Sequence, residues 1–213
     1  MKIKIDGLTK IIKGNEILKD VNLEFESGKI YGLQGKNGSG KTMLLKAISG
    51  LIFPTEGSVC IDGSVIGKDI DFPRDMGILI ENPYFIGRYN AERNLLDLVE
   101  IRNKVGIDEI RAILEDVGLK NEPKKKFRNY SLGMKQKLGI AAALVEKPSL
   151  ILLDEPTNAL DEAGVEKLRE LLVERREKGA LIIIASHDKE EMALLCDEVY
   201  KIEEGRIMGK VSA

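Results

Sequence analysis

A glycine-rich loop near the N-terminus has the residue types and spacing needed to bind phosphate. It reads Gly35-Lys36-Asn37-Gly38-Ser39-Gly40-Lys41-Thr42, which matches G-x-x-x-x-G-K-T. A β-prone run precedes it and apolar residues at helical spacing follow, so strand, loop and helix occur in the required order. The glycines allow backbone N–H groups to point at phosphates, and the helix N-terminus adds partial positive charge. The pattern predicts that Lys41 reaches the β- and γ-phosphates and that the Thr42 hydroxyl binds Mg²⁺. The alternative is a turn that binds nothing, which the flanking strand and helix disfavour.

Two adjacent acids follow a run of four aliphatic residues, Leu150–Leu153. Such a run is typical of a strand buried in a parallel sheet, and ligands bind at the carboxyl ends of those strands. We therefore expect Asp154 to hold Mg²⁺ and Glu155 to polarise the attacking water as a general base. The alternative is a pair of ordinary acids in a solvated turn.

The single histidine, His187, directly follows a second buried run that begins at Leu181. A hydrogen-bonded histidine at a strand end is the simpler interpretation. Its place after the strand that follows the Asp154–Glu155 strand also suits a sensor of the γ-phosphate.

The predicted elements form a β/α pattern that a helical block interrupts. Strand-like runs and the glycine loop occupy the chain up to about residue 89, and β/α alternation returns after Pro148. Between about Asn90 and Lys147, apolar residues recur at helical spacing. The sequence therefore predicts an α/β fold with a phosphate-loop NTPase core, an N-terminal antiparallel β subdomain and an inserted α-helical subdomain.

Composition excludes several functional classes. The 33 Lys and Arg residues nearly balance the 35 Asp and Glu residues, for a net charge of −2, so the basic excess needed for non-specific nucleic-acid binding is absent. Apolar runs are too short to span a bilayer, and the N-terminus has no secretory signal. The two cysteines, Cys60 and Cys196, have no metal or redox spacing. A soluble protein of a reducing cytosol is the expectation.

Two further segments complete a set of motifs. Residues 158–161 read Asn158-Ala159-Leu160-Asp161, and residues 130–134 read Tyr130-Ser131-Leu132-Gly133-Met134. With these motifs the chain resembles the ATP-binding subunit of an ABC transporter over essentially its whole length. The glycine loop is similar to the Walker A motif, and Leu150–Asp154 is similar to the Walker B motif, which the catalytic Glu155 follows. Residues 158–161 are similar to the D-loop, and His187 is similar to the switch histidine. Residues 130–134 are similar to the L-S-G-G-Q signature.

The resemblance implies an ATPase that uses ATP and Mg²⁺ and forms a head-to-tail dimer, either a homodimer or a paralogous heterodimer. Each ATP would lie between the glycine loop of one subunit and the signature segment of the other, where Ser131 and the Gly133 N–H bind γ-phosphate oxygens in trans. Separate transmembrane permease subunits would carry the export path, and the chain would sit on the cytoplasmic face of the membrane. No nucleic-acid partner is expected. Residues 1–213 would form one ABC ATPase domain, with core segments 1–83 and 148–213 around a helical signature subdomain, 84–147.

Three positions depart from the usual family pattern. Glu81 stands in place of the Q-loop glutamine, Leu132 and Met134 replace a glycine and a glutamine of the signature, and Ile12 falls where an aromatic residue usually stacks on adenine. The first two departures are similar to the branch that serves bacitracin- and lantibiotic-type peptide exporters. We expect Glu81 to ligate Mg²⁺ only in the closed, nucleotide-bound state and to swing away without nucleotide, and we expect Ile12 to give weak adenine recognition.

Alternatives remain open at this point. Tyr84, Phe85 and Tyr89 follow Glu81 closely and suit either helix packing or a socket for a permease helix. A soluble ABC ATPase that remodels a macromolecule, or an ATP-dependent sensing switch, is the alternative to a transporter subunit. The sequence does not identify the transported substrate.

Overall fold

Two β-sheets form the centre of the structure, a computed structural model that describes residues 1–102, 104–120 and 124–211. The strands are, in chain order, β1 (Lys2–Ile12), β2 (Asn15–Glu26), β3 (Ile30–Gln34), β4 (Glu56–Ile61), β5 (Ser64–Val65), β6 (Met76–Leu79), β7 (Leu150–Asp154), β8 (Leu181–Ser186), β9 (Glu198–Glu203) and β10 (Arg206–Val211). The smaller sheet has the order β2-β1-β4-β5, and the larger has the order β10-β9-β3-β8-β7-β6.

The larger sheet is parallel from β9 to β6, and β10 adds an antiparallel edge. Every residue of β7 and β8 is buried, which explains their uninterrupted aliphatic sequences. Alternate residues face opposite cores: Leu150 and Leu152 pack in one cluster, while Ile151 and Leu153 pack in the other. The predicted phosphate-loop core with a terminal hairpin is confirmed.

The smaller sheet is antiparallel throughout and covers one face of the core. Its first two strands join through Lys13 and Gly14, which both have positive φ, as a two-residue hairpin turn requires. Its buried residues, including Ile3 and Phe25, share a hydrophobic cluster with Leu44 and Leu45 of the first helix. This sheet is the predicted N-terminal antiparallel β subdomain.

Three of the six described α-helices lie between β6 and β7 in the chain, as the predicted helical insertion requires. The helices are α1 (Lys41–Ser49), α2 (Ala91–Val99), α3 (Ile107–Asp116), α4 (Leu132–Leu144), α5 (Glu162–Glu177) and α6 (Lys189–Leu195). Side chains of Asn90 and Ser131 cap α2 and α4, so polar residues before apolar runs mark these helix starts. The subdomain boundaries at residues 83/84 and 147/148 remain predictions, and residues 212 and 213 lie outside the described residues.

The parallel strands end together at one edge of the larger sheet. Gln34 pairs with Ser186, Asp154 with Ala185, and Leu79 with Leu153. The segments that leave these strands include the glycine loop, Glu81, Glu155 and His187. The strand register thus gathers the predicted site residues at the edge where parallel sheets bind ligands.

Candidate active site

The glycine loop joins β3 to α1 and folds around the ammonium group of Lys41. Lys41 Nζ donates hydrogen bonds to the carbonyl oxygens of Gly35, at 2.6 Å, and Lys36, at 3.2 Å. Gly40 has a φ of 110°, a left-handed conformation that disfavours side-chain-bearing residues. No acidic residue lies in the first turn of α1, so the helix N-terminus favours an anion. This geometry is suited to phosphate.

A cavity of about 490 Å³ extends from the loop. Its lining includes the apolar side chains of Ile12, Ile17 and Met43 and the charged side chains of Lys41 and Glu155. The structure therefore brings Ile12, from the end of β1, to the glycine loop. A lining that combines apolar side chains with the phosphate-binding loop suits a nucleotide, whose base is apolar on its faces and whose phosphates are anionic.

The carboxylate of Asp154 faces the start of α1. Thr42 Oγ1 donates a 2.7 Å hydrogen bond to Asp154 Oδ2, while Asp154 Oδ1 is buried without a hydrogen-bond partner among the described residues. Burial raises the pKa of Asp154, and the negative charge of Glu155 adds to this effect, whereas the Thr42 hydrogen bond opposes it. A hydroxyl and a carboxylate with one unpaired oxygen suit a hard cation such as Mg²⁺.

Glu81 follows β6, and its carboxylate is not bonded to the Thr42 and Asp154 side chains of the candidate metal site. Its backbone lies near enough to the Asp154 carboxyl group to oppose the rise in the pKa of that group, but its side chain is 63% exposed and forms an ion pair with Lys46 of α1. Its φ of 61° lies in the left-handed region, which is uncommon for glutamate. The backbone of Glu81 thus lies at the candidate metal site, while its carboxylate is held by Lys46.

Glu155 stands at the centre of a hydrogen-bond cluster. Its Oε2 accepts from Ser186 Oγ at 3.1 Å and lies 2.9 Å from His187 Nδ1, and its Oε1 lies 3.5 Å from Lys41 Nζ. A φ of 47° turns the chain sharply after β7. The structure therefore unites Lys41, Glu155 and His187, which are far apart in the chain.

The signature segment lines a separate cavity of about 450 Å³. Ser131 caps α4 by accepting a 3.2 Å hydrogen bond from the Met134 N–H, so its hydroxyl proton stays available to a ligand. Ala159 and Asp161 of the D-loop line the same cavity, together with Leu132, Gly133, Met134 and Lys137. Asn158 and Ala159 are exposed on the turn before α5, which Asp161 caps.

Sequence reasoning missed several residues of the site. Gln136 donates to the carbonyl groups of Glu155 and Pro156, and Glu191 Oε2 accepts from Thr157 and lies 3.2 Å from Ser186 Oγ. The sequence does mark Ser186 as a candidate site residue, since it ends an aliphatic run directly before His187. The sequence does not mark Glu191 as a site residue, because an acid in a short helix is usually exposed.

The comparisons with known proteins agree with this geometry. The model of a family described as ABC transporter matches residues 18–158. The chain belongs to the ABC transporter family. Among the described residues, every helix is too short or too polar to cross a membrane.

Relatives of this ABC protein include transport proteins. The uncharacterized ABC transporter ATP-binding protein YybJ of Bacillus subtilis is 47% identical over 96% of this chain and 94% of its own length. The bacitracin transport ATP-binding protein BcrA of Enterococcus faecalis is 38% identical over 99% of this chain and 69% of its own. The lantibiotic transport ATP-binding protein SrtF of Streptococcus pyogenes is 37% identical over 97% and 89%. The predicted similarity to the bacitracin and lantibiotic branch is confirmed.

Solved structures of ABC proteins have the same fold. A structure described as the ATP-binding subunit of an ABC transporter has a TM-score of 0.89 at 26% identity, covering 100% of this chain and 90% of that chain. The dimeric post-hydrolysis structure of the ATP-binding cassette MJ0796 bound to ADP and Pi has a TM-score of 0.86 at 25% identity, covering 99% and 98%. The chain is thus a nucleotide-binding ATPase subunit of the ABC transporter class, and this assignment is favoured over a soluble remodelling ATPase or a sensing switch.

Proposed function

We propose that this subunit binds Mg²⁺–ATP in a head-to-tail dimer and powers export through separate permease subunits at the cytoplasmic face of a membrane. One observation supports the proposed dimer: the nucleotide cavity and the signature cavity have no lining residue in common. Ser131 of one subunit can therefore contribute to an ATP site when a second subunit supplies the glycine loop. The dimeric MJ0796 cassette with ADP and Pi, whose fold this chain shares, supports this arrangement.

Glu155 is the general base in this proposal. Its carboxylate lies beside Lys41 and accepts the Ser186 hydroxyl, so it is fixed in direction before substrate binds. His187, bonded to the same oxygen, orients the carboxylate and presents its other ring nitrogen toward the γ-phosphate. Lys41 exchanges the carbonyl groups of its own loop for phosphate oxygens, which are stronger acceptors.

Thr42 and Asp154 would hold Mg²⁺, because their oxygen atoms meet at the start of α1 and Asp154 Oδ1 has capacity to spare. When bound, Mg²⁺ would neutralise negative charge on the phosphates. Glu81 would join them after leaving Lys46. The Glu81 side chain of that ion pair is 63% exposed, and solvent-exposed pairs contribute only about 0–1 kcal/mol, so a divalent cation can displace it.

An exposed apolar patch near the end of α1 is the proposed contact with the permease. Leu51 and Phe53 follow α1, Phe72 lies against Gly50, and Tyr84 follows Glu81 by three residues. These large side chains are exposed, whereas Phe85 packs against Phe127. The names of BcrA and SrtF support an antimicrobial peptide as the exported substrate.

The decisive experiment compares two variants. Glu155→Gln keeps the size of the side chain but removes its basicity, so turnover should fall about 100-fold or more while ATP binding persists and an ATP-bound dimer accumulates. Adding Ser131→Arg should abolish that dimer without preventing ATP binding to the single subunit. Size analysis with and without ATP measures the dimer. Near-wild-type turnover by Glu155→Gln would reject the base, and a dimer that survives Ser131→Arg would reject the trans signature contact.

A test of export uses living cells. Co-expression of this subunit with its permease should protect cells against a peptide antibiotic, and Glu155→Gln should remove the protection at equal protein levels. A paralogous heterodimer is indicated if the purified Glu155→Gln subunit dimerises with ATP only after a second ATPase subunit is added.

A further inference from the structure

Gln136 is a buried polar side chain that joins the signature helix to the catalytic segment. It lies in the second turn of α4 with only 8% of its surface exposed. Its Nε2 donates to the carbonyl oxygens of Glu155, at 3.1 Å, and Pro156, at 3.0 Å. Both acceptors are carbonyl groups, so the amide NH₂ must face them. Both protons of this NH₂ are therefore used to hold two consecutive peptide groups, one of which belongs to the proposed base.

The start of α4 lies along the whole of the 155–161 segment. A Cβ atom on Gly133 would come within 2.5 Å of the Ala159 carbonyl oxygen, so the two backbones are in direct contact. Farther along, Lys137 Nζ lies 3.5 Å from Asp161 Oδ1, and its charge lowers the pKa of Asp161. These contacts, with those of Gln136, make the signature turn and the 155–161 segment one packed unit.

The 155–161 segment is also fixed on its opposite side, by Glu191 of α6. Thr157 Oγ1 donates to Glu191 Oε2 at 2.5 Å, and Ser186 Oγ lies 3.2 Å from the same oxygen. Ser186 also donates to the Glu155 carboxylate. Because the segment is anchored there, a shift of α4 is passed to the Glu155 peptide instead of being absorbed by a loose turn.

We propose that Gln136 is a positioning residue that couples the signature contact with the partner's ATP to the placement of the Glu155 base in the same subunit. The proposal rests on the head-to-tail dimer. When Ser131 and Gly133 engage the ATP held by one subunit, α4 is fixed, and Gln136 sets the Glu155 backbone that serves the other ATP. The two ATP sites are thereby linked through a single amide.

Mixed dimers with one silenced site test which Glu155 depends on Gln136. Two differently tagged chains allow purification of dimers in which Glu155→Gln silences one site. Gln136→Met removes the amide at nearly constant volume. When Gln136→Met is in the chain with the active Glu155, turnover should fall about 10- to 100-fold at unchanged KM, the range expected for a small misplacement of a catalytic group. When it is in the silenced chain, turnover should match the parent mixed dimer.

The matched control is Lys135→Met, at the neighbouring position of the same helix, where the ammonium group lies over the Phe127 ring, 5.5 Å from its centroid. It should leave both mixed dimers unchanged. Equal loss in both placements of Gln136→Met, loss only from the silenced chain, or no loss overturns the proposal. If the parent mixed dimer itself does not form or turn over, the proposed dimer fails instead, which keeps the two outcomes distinct.

A second measurement tests the coupling to the signature. Ser131→Ala in the chain with the active Glu155 alters a serine that faces the silenced site. It should nevertheless lower turnover several-fold, and adding Gln136→Met in the same chain should cause less further loss than Gln136→Met alone. Additive losses, or no effect of Ser131→Ala, would contradict coupling through Gln136. Thermal unfolding of each chain verifies that all variants are folded.

Discussion

At the scale of single residues, the site combines side chains that suit nucleotide chemistry with two that depart from the family pattern. Asp154, Glu155 and Lys41 are buried or partly buried; the charge of Lys41 attracts both carboxylates, whereas the two carboxylates repel each other. Ile12 and Glu81 are the departures, and the structure gives each a specific environment. Ile12 lines the nucleotide cavity with the apolar side chains of Ile17 and Met43, and Glu81 is paired with Lys46.

Ile12→Tyr should tighten ATP binding. An aromatic ring stacked on a base contributes about 1–3 kcal/mol, which corresponds to a roughly 5- to 150-fold lower Kd. Titration with a fluorescent ATP analogue measures the change, and the maximal hydrolysis rate should stay constant. Ile11→Tyr is the control, because Ile11 is equally exposed but does not line the cavity. Equal affinity of wild type and Ile12→Tyr would mean that the base stacks elsewhere.

Substitutions of Glu81 and Lys46 should have opposite effects on the affinity for Mg²⁺. Glu81→Ala removes a proposed ligand, so it should weaken the Mg²⁺ dependence of ATP binding and abolish permease-stimulated hydrolysis, while Glu81→Gln retains part of both. Lys46→Met frees the carboxylate and should raise the apparent Mg²⁺ affinity severalfold, by up to about 1 kcal/mol, because the Glu81 side of the ion pair is exposed to solvent. Mn²⁺ titration monitored by electron paramagnetic resonance provides a readout independent of turnover.

The exposed acid Glu56, in the smaller sheet, provides the control Glu56→Ala, which should change neither quantity. If Glu81→Ala leaves Mn²⁺ binding, stimulated hydrolysis and transport intact, Glu81 is a solvated loop acid.

At the scale of elements, β7 and α1 do most of the positioning. β7 is buried along its length and ends by delivering Asp154 to the sheet edge, where burial raises the pKa of that carboxyl group. α1 begins at the glycine loop and reaches Lys46 and the apolar patch at its other end. One helix therefore connects the phosphate site with the proposed permease contact.

Asp154→Asn should stabilise the protein without nucleotide. The pKa of Asp154 is higher in the folded than in the unfolded state, so the folded state binds the proton more tightly and stability falls as pH rises from the unfolded value of 3.8 through the folded pKa. At neutral pH the buried charge therefore costs stability. Its removal should raise Tm by about 2–4 °C for each kcal/mol relieved.

The same variant should lose most of the extra stabilisation that Mg²⁺–ATP gives over ATP alone, as measured by thermal unfolding. Asp71→Asn, at an exposed position, should show neither effect. A lower Tm for nucleotide-free Asp154→Asn would show that the Thr42 hydrogen bond outweighs the cost of burial.

At the scale of the whole molecule, the proposed permease contact predicts different effects for substitutions of two neighbouring aromatic residues, Tyr84 and Phe85. Tyr84 is 95% exposed, so Tyr84→Ala should preserve stability and basal ATPase activity but lose stimulation by the permease. Phe85 packs against Phe127 with ring centroids 5.4 Å apart, so Phe85→Ala should destabilise the fold by about 1–3 kcal/mol. Denaturant unfolding and reconstituted ATPase assays distinguish them. Full stimulation of Tyr84→Ala would place the permease elsewhere.

The sequence by itself determined the parts of this protein that depend on local chemistry. The glycine loop needs particular φ values and N–H groups within eight residues, the aliphatic runs of β7 and β8 reflect burial on both faces, and Asn90 and Ser131 cap the helices that follow them. Each signal lies within a few neighbouring residues, so no knowledge of the chain's path is needed to detect it.

Only the tertiary structure decided which distant residues meet. Lys46 faces Glu81, Gln136 holds the Glu155 and Pro156 carbonyl groups, and Glu191 joins Thr157 to Ser186. These contacts depend on the order of strands in the sheet and on how helices cover its faces. Burial of the whole core sets that arrangement, and a glutamine or glutamate in a helix carries no local mark of the partner it will find.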